Sequence, residues 1–424
     1  PVQVVAAAGL EVGLPAVARD GPLQDLGGAF VDGGDADVAL DLLDHVFFGV
    51  AVAPVRLNGV FGRFVARFGA DVLGDRAFAF RLLSILRERD GNLAFSPAGV
   101  RMALSMAWAG AGGETAGEIE TVLGLSGDPT AIHQSHQALL AVWKAPRGAL
   151  PSSFKLRVAQ GFFAQAERRP AQAFIELLQR YYDAPVSPKD FAAPDTARDQ
   201  VNRWVETKTS DRLEGFLPTG SVDSGVELML VSALDFEAPW LHPFDLGHTS
   251  RGKFKKADGK SADVMLMSTS GELLVNETPE AQVVELEYAT EDFVFDLIVP
   301  RGPLPAFEAA LDEKKLDQLL AGLTPKEATL TLPRFTAGDA IELAGPLQKI
   351  GIHAAFAKTK ADFSPMTGTR QLFLSSVPHR IRLVVDEGAT AENKGDGKPV
   401  ETRGVDVRAT RPFLYVVRDK KRNL

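Results

Sequence analysis

Cysteine is absent from the 424-residue chain, so disulfides and thiolate metal sites are excluded. A basic excess is absent too: 46 Lys and Arg stand against 55 Asp and Glu, a formal net charge of −9. No surplus of cations is left to neutralise phosphates, which argues against nucleic-acid binding. No run of about 18 apolar residues is present to span a bilayer as a helix, so no membrane partner is expected. The apolar stretch 46–55 follows Asp41, Asp44 and His45 rather than the basic start of a signal peptide, and none is visible. Residues 1–68 contain no Lys, Ser or Thr. Cap and turn chemistry draws on Ser and Thr, so 1–68 is expected to be an N-terminal extension, disordered or upstream of the true start.

Catalytic constellations are missing as well. There is no G-x-S-x-G elbow and no Walker A lysine. Gly110 to Thr115 reads GAGGET, without the Lys-Ser/Thr of a phosphate cradle, and is expected to be a turn between helices. His133 and His136 form H-x-x-H at helical spacing, but no HExxH glutamate or third ligand accompanies them, and surface histidines are expected. Asn276-Glu-Thr278 has the pattern of a glycosylation site, but Pro279 follows it. No enzyme, metal or cofactor is expected.

What is present is the makeup of a soluble folded chain, 45% apolar and 24% charged. Asp75 stands where a helix cap would, ahead of Phe78, Leu82, Ile85 and Leu86 on one helical face. Helical periods also run from Pro97 to Trp108, from Thr115, over 171–183 and over 194–208. Then the period falls to two. Phe293, Phe295, Leu297 and Val299 alternate up to Pro300, Leu330 and Leu332 up to Pro333, and Ile381, Leu383 and Val385 up to a polar stretch. Helices lead and strands follow, which points to an α+β fold rather than a doubly wound sheet. Residues 387–408, EGATAENKGDGKPVETRGVDVR, hold almost no large apolar side chain, and a strand pattern from Phe413 to Val417 follows. A long structureless stretch inside a folded domain is generally functional or disordered.

Asn92-Leu-Ala-Phe-Ser-Pro97, Gly110 to Leu125, Val201-Asn-Arg-Trp-Val205 with Thr207 and Thr209, Leu230 to Trp240, Leu332-Pro-Arg-Phe335, Ala361-Asp-Phe-Ser364 with Met366, and Arg411-Pro-Phe-Leu414 follow one another in the order of a known family's motifs. Across residues 76–419 the chain resembles the serpins, the serine protease inhibitor superfamily. The resemblance implies the serpin fold over 69–424: a helical N-terminal part, a large five-stranded sheet, smaller sheets and an exposed reactive-centre loop. It implies a suicide substrate whose loop is cleaved by a target serine protease and inserts into the main sheet. A monomer and an extracellular or periplasmic setting are implied too.

The same resemblance assigns residues. The loop takes in Glu387, Gly388, Ala389, Thr390, Ala391 and Glu392, with Arg403–Gly404 as the scissile bond at family spacing from Glu387. An arginine there implies a trypsin-like protease, whose specificity pocket carries an aspartate. Trp240, Arg334 and Glu387 form the implied breach, where the loop enters the sheet. Ser96, Ser232 and His379 form the implied shutter under its middle, with Gly99 where serine is usual and Ser232 where asparagine is usual. Aligned without a gap, Thr390, Glu392, Lys394 and Asp396 point inward on insertion; with a one-residue gap, Ala389, Ala391, Asn393 and Gly395 do. The charges keep a non-inhibitory serpin, a binding, storage or chaperone-like module, open beside the inhibitor. After Leu414 the chain is expected to turn at Arg418 to Leu424 and to lack the family's terminal β-strand.

Overall fold

A computed structural model describes residues 76–144, 154–290, 293–338, 340–388 and 400–420. The extension 1–68 and the hinge positions Ala389, Thr390, Ala391 and Glu392 lie outside the described residues.

Helix α1, over 76–86, buries Phe78, Leu82 and Leu86, which recur every fourth residue, and leaves Ile85 half-buried. Helix α2, Pro97–Ala109, starts at Ser96, whose hydroxyl accepts the Gly99 amide, and has Pro97 in its first turn. It ends at Gly110, where a Cβ would press on Met366 and Phe174. Helix α3, Gly113–Leu123, follows at once, so the turn between helices is Gly110–Gly112 and the rest of GAGGET opens α3. Helices α4, Pro129–Lys144, α5, Gln172–Tyr182, and α6, Pro194–Thr209, complete the first half.

The two histidines of H-x-x-H are buried, contrary to the surface position expected. His133 lies 2.6 Å from the Tyr182 hydroxyl, and His136 Nε2 lies 3.0 Å from Ser105 Oγ. Their three-residue spacing puts both on the inner face of α4, against α2 and α5. Burial holds His133 near pKa 4, and burial with the Arg101 charge beside it pushes His136 well below the usual histidine value. Asn276, in the glycosylation pattern, donates instead to the Leu319 carbonyl at 2.7 Å.

Strands β1, Lys155–Gln165, β2, Val186–Lys189, and β3, Leu228–Glu237, come first, and β4, Ser250–Lys255, β5, Ser261–Glu277, β6, Ala281–Glu287, and β7, Phe293–Pro300, follow. After two short helices come β8, Thr324–Pro333, β9, Phe335–Ala337, β10, Ile341–Glu342, β11, Leu374–Ser376, and β12, Pro378–Val385. Last are β13, Val405–Arg408, and β14, Leu414–Asp419.

They form two sheets. The first runs β10-β12-β3-β1-β2, with β9 continuing the edge beside β12 and β11 beside β3, so it is five lanes wide. Its inner face (Leu230, Leu234, Phe162) closes the main cores, and its outer face (Phe163, Val231, Ala233) packs under Val201 and Val205 of α6. The second sheet runs β13-β8-β5-β6-β7-β14 with β4 on β5. The long β5 joins into one sheet what the family pattern suggests as several. Helices concentrated in the first half, around two mostly antiparallel sheets, make the α+β fold.

Within the stretch where a turn is expected, strand β14 continues to Asp419 and the turn comes at Lys420. Arg418 and Asp419 remain in β14 and are buried. Arg418 donates to Asp296 at 2.8 Å and to Glu285 at 2.6 Å, which satisfies a cation that burial would otherwise forbid. Burial pushes the Asp296 carboxyl up to about 6 even so.

Candidate functional site

The first sheet has an unusual seam. β1 and β3 are antiparallel, but β3 and β12 are parallel, with His379 opposite Ser232 and Leu383 opposite Phe236. The residues after β12 leave from its end above this seam. Along β12 the period is two: His379, Ile381, Leu383 and Val385 are buried, and Arg380, Arg382 and Val384 lie on the α6 side.

Below the seam the structure brings Ser96, Ser232 and His379 together. His379 Nε2 accepts the Ser96 amide at 2.9 Å, and its Nδ1 donates to the Ser232 carbonyl at 3.1 Å. A carbonyl only accepts, so the ring is neutral and carries its proton on Nδ1. Complete burial lowers its pKa to about 4. A further member is Gln160 of β1, whose amide donates to the Gly99 carbonyl at 3.2 Å and to Ser232 Oγ at 3.3 Å. Sequence reasoning missed it; a polar residue on the inward parity of an apolar strand was the available signal. Gly99 is explained sterically, since a Cβ there would lie 2.6 Å from Leu234 Cδ1 and 3.1 Å from Ser232 Oγ.

At the end of β12 Trp240, Arg334 and Glu387 also meet. Trp240 stacks on Tyr288 with ring centroids 4.5 Å apart and donates its indole hydrogen to the Asp386 carbonyl at 2.7 Å. Glu387 is 3% exposed. One of its carboxylate oxygens is 3.3 Å from Arg334 Nε, and the other accepts the Thr249 hydroxyl at 2.8 Å. Its carbonyl accepts the Phe244 amide at 3.0 Å. Gly388 follows with φ +60 and has Trp240 Cδ1 2.9 Å from where a Cβ would stand, so only glycine fits the close approach. Thr249 stands at a position the family pattern also holds, but its bond to Glu387 comes only through the fold.

At the far end of the polar stretch, the Arg403 side chain is exposed while its backbone is held. Its amide donates to Thr329 Oγ1 at 2.8 Å, and that hydroxyl donates back to its carbonyl at 3.3 Å. Gly404 has φ +61, and a Cβ there would collide with the Glu327 carbonyl. β13 then pairs in parallel with β8, beginning Val405 opposite Ala328. Among the described residues no cluster could hold a metal ion, and no helix is long and apolar enough to cross a membrane.

The family model for serpins, serine protease inhibitors, matches residues 74–424. The chain belongs to the serpin family. Human serpin B10 (Homo sapiens) is 28% identical over 380 residues, covering 82% of this chain and 95% of that protein. Serpin A3-3 of Bos taurus is 32% identical over 351 residues, covering 81% and 84%. The crystal structure of mouse protein-Z-dependent protease inhibitor superposes with a TM-score of 0.76 at 20% identity, covering 86% of this chain and 97% of that one. Serpins as a family are protease inhibitors rather than enzymes, and the reactive loop and its conformational change are general serpin features.

Proposed function

We propose that this serpin inhibits a trypsin-like serine protease as a suicide substrate, by cleavage at Arg403–Gly404 and insertion of the freed segment between β3 and β12. The supporting observation is the parallel pairing of β3 with β12 where the chain leaves β12. The Gly388 amide donates to Asp386 Oδ1 at 2.9 Å, a local turn that suits reversal of the chain. A segment reversed there runs antiparallel to both strands. Insertion thus exchanges one parallel ladder for two antiparallel ones, which pair slightly better per residue and satisfy a further strand of backbone groups.

The chemistry is acyl transfer. The protease serine attacks the Arg403 carbonyl carbon, the Arg403–Gly404 bond breaks, the Gly404 amine departs with β13, and Arg403 stays as an ester on the enzyme. Insertion then drags that ester out of its reactive geometry before water releases it. The exposed Arg403 guanidinium suits a pocket with an aspartate at its base. On this reading the Thr329 bonds release first, to let the backbone extend into the protease.

The charges at Glu392, Lys394 and Asp396 favour a second reading, a non-inhibitory binding or storage module. The milder register answers it in terms of the faces of β12. Ala389, Ala391, Asn393 and Gly395 would join the inward row of Leu383 and Ile381, and the three charges would lie outward beside Arg380 and Arg382. Incubation with trypsin-like proteases separates the readings. The inhibitor forms a covalent complex that survives SDS; cleavage at Arg403 with no complex and no rise in thermal stability would leave the binding module.

A further inference from the structure

On the α6 face of the first sheet a charge is buried where neighbouring positions are apolar. Asp235 of β3 is fully buried, in a row with Val231 and Ala233. Strand register sets Arg157 of β1 directly opposite on one side and Arg382 of β12 directly opposite on the other. Each arginine takes one oxygen: Arg157 Nη1 donates to Oδ2 at 2.6 Å and Arg382 Nη1 to Oδ1 at 2.7 Å. Arg382 also donates to Glu237 at 3.2 Å, so the group is neutral overall. Arg157 Nε reaches Ser210 Oγ, at the C-terminal cap of α6, at 3.2 Å. One residue pair down β12, Arg380 donates to the Glu214 carbonyl, just past α6, at 3.0 Å.

The two arginines of the Asp235 group are not equivalent. Arg157 belongs to β1, which travels with β3. Arg382 belongs to the other side of the parallel seam. Parting β3 from β12 therefore removes one of the two cations from a carboxylate that has no access to water, and strands Arg382 from both of its acidic partners. Separating a buried ion pair is costly, because each charge loses its partner before solvent can replace it.

We propose that Asp235 and Arg382 form an ionic latch over the β3/β12 seam that governs how readily the sheet opens, and so how fast a strand is admitted. The latch rests on the reading that this seam is where the reactive loop inserts. Arg382 is a positioning residue here and touches neither the protease nor the cleaved bond. The latch stands on the opposite face from the His379 cluster, so the seam is tied on both faces by groups that must part together.

Backbone hydrogen exchange on the full chain tests the latch without relying on insertion. Arg382→Met, which keeps length and removes charge, should raise exchange of amides in 379–383 and 232–236 at least tenfold. Amides of β6 and β7 should keep their wild-type rates. Arg382→Lys, the more readily folded variant, should fall between, since an ammonium keeps the charge but lacks the rigid planar geometry with which Arg382 Nη1 meets both Asp235 and Glu237. Val384→Met, on the same face and outside the ion group, should leave exchange unchanged. Wild-type exchange in both Arg382 variants overturns the proposal, as does an equal rise in Val384→Met. Faster seam exchange in a protein that forms no complex with any protease supports the latch and sinks the inhibitor reading.

Discussion

The Ser96 amide donates to His379 Nε2 across 2.9 Å, tying the start of α2 to β12 from beneath. The bond needs an unprotonated Nε2. The ring titrates near 4 in the folded chain, because it is buried, and near 6.5 when unfolded. The unfolded chain thus binds the extra proton between those values, and stability falls as pH drops from 6.5 towards 4. The contribution is about 3 kcal/mol at full extent. His133 acts with the same sign, while Glu308, raised by burial to about 7, and Asp296 act with the opposite sign. The measurement is therefore a difference. His379→Gln should lose stability at neutral pH yet decline less than the wild type on acidification, in urea unfolding followed at both ends of the window. Parallel slopes would count against the assignment.

Charge reversal at Glu387 should open the mouth of the sheet. Glu387→Lys sets a cation beside Arg334 and removes the acceptor for Thr249 in a buried place. Arg334→Ala should matter less, because that guanidinium is half exposed and such pairs contribute about 0–1 kcal/mol. On mild heating the first variant should form polymers visible by size exclusion, and the second should stay largely monomeric. A stable Glu387→Lys monomer would show that the junction does not guard the seam.

Thr329 restrains the proposed scissile bond. Thr329→Val removes both hydrogen bonds to the Arg403 backbone while keeping the side chain's shape. Cleavage after Arg403 by trypsin should then be several-fold faster, read by mass spectrometry of the released fragment. Arg403→Ala should abolish cleavage there. Equal rates in Thr329→Val and the wild type would mean that the bond is already presented.

Gly99→Ser restores the residue usual in the family and should still destabilise this chain. The added Cβ meets Leu234 Cδ1 at 2.6 Å, and small-to-large changes in a filled core cost about 1–3 kcal/mol. A lower thermal midpoint is expected; a gain would mean that Leu234 yields easily and that the hydroxyl completes the cluster.

Much of the fold was legible because it is local. The four-residue recurrence of Phe78, Leu82 and Leu86, the Ser96-Pro97 helix start and the alternation of Ile381, Leu383 and Val385 all report which face of an element is buried. His133 and His136 misled for the same reason: spacing puts them on one face without saying that the face turns inward. Nothing local says that the Arg418 charge is buried; that follows only when Asp296 and Glu285 are set beside it.

By itself the sequence determined the family, through ordered motifs, and with it the expected elements of Trp240, Arg334, Glu387, Ser96, Ser232 and His379. Tertiary structure alone decided what surrounds them. Asp235 meets Arg157 from 78 residues away and Arg382 from 147. Such neighbours follow from which strands lie side by side, and parallel pairing of β3 with β12 is a long-range choice that no local period encodes.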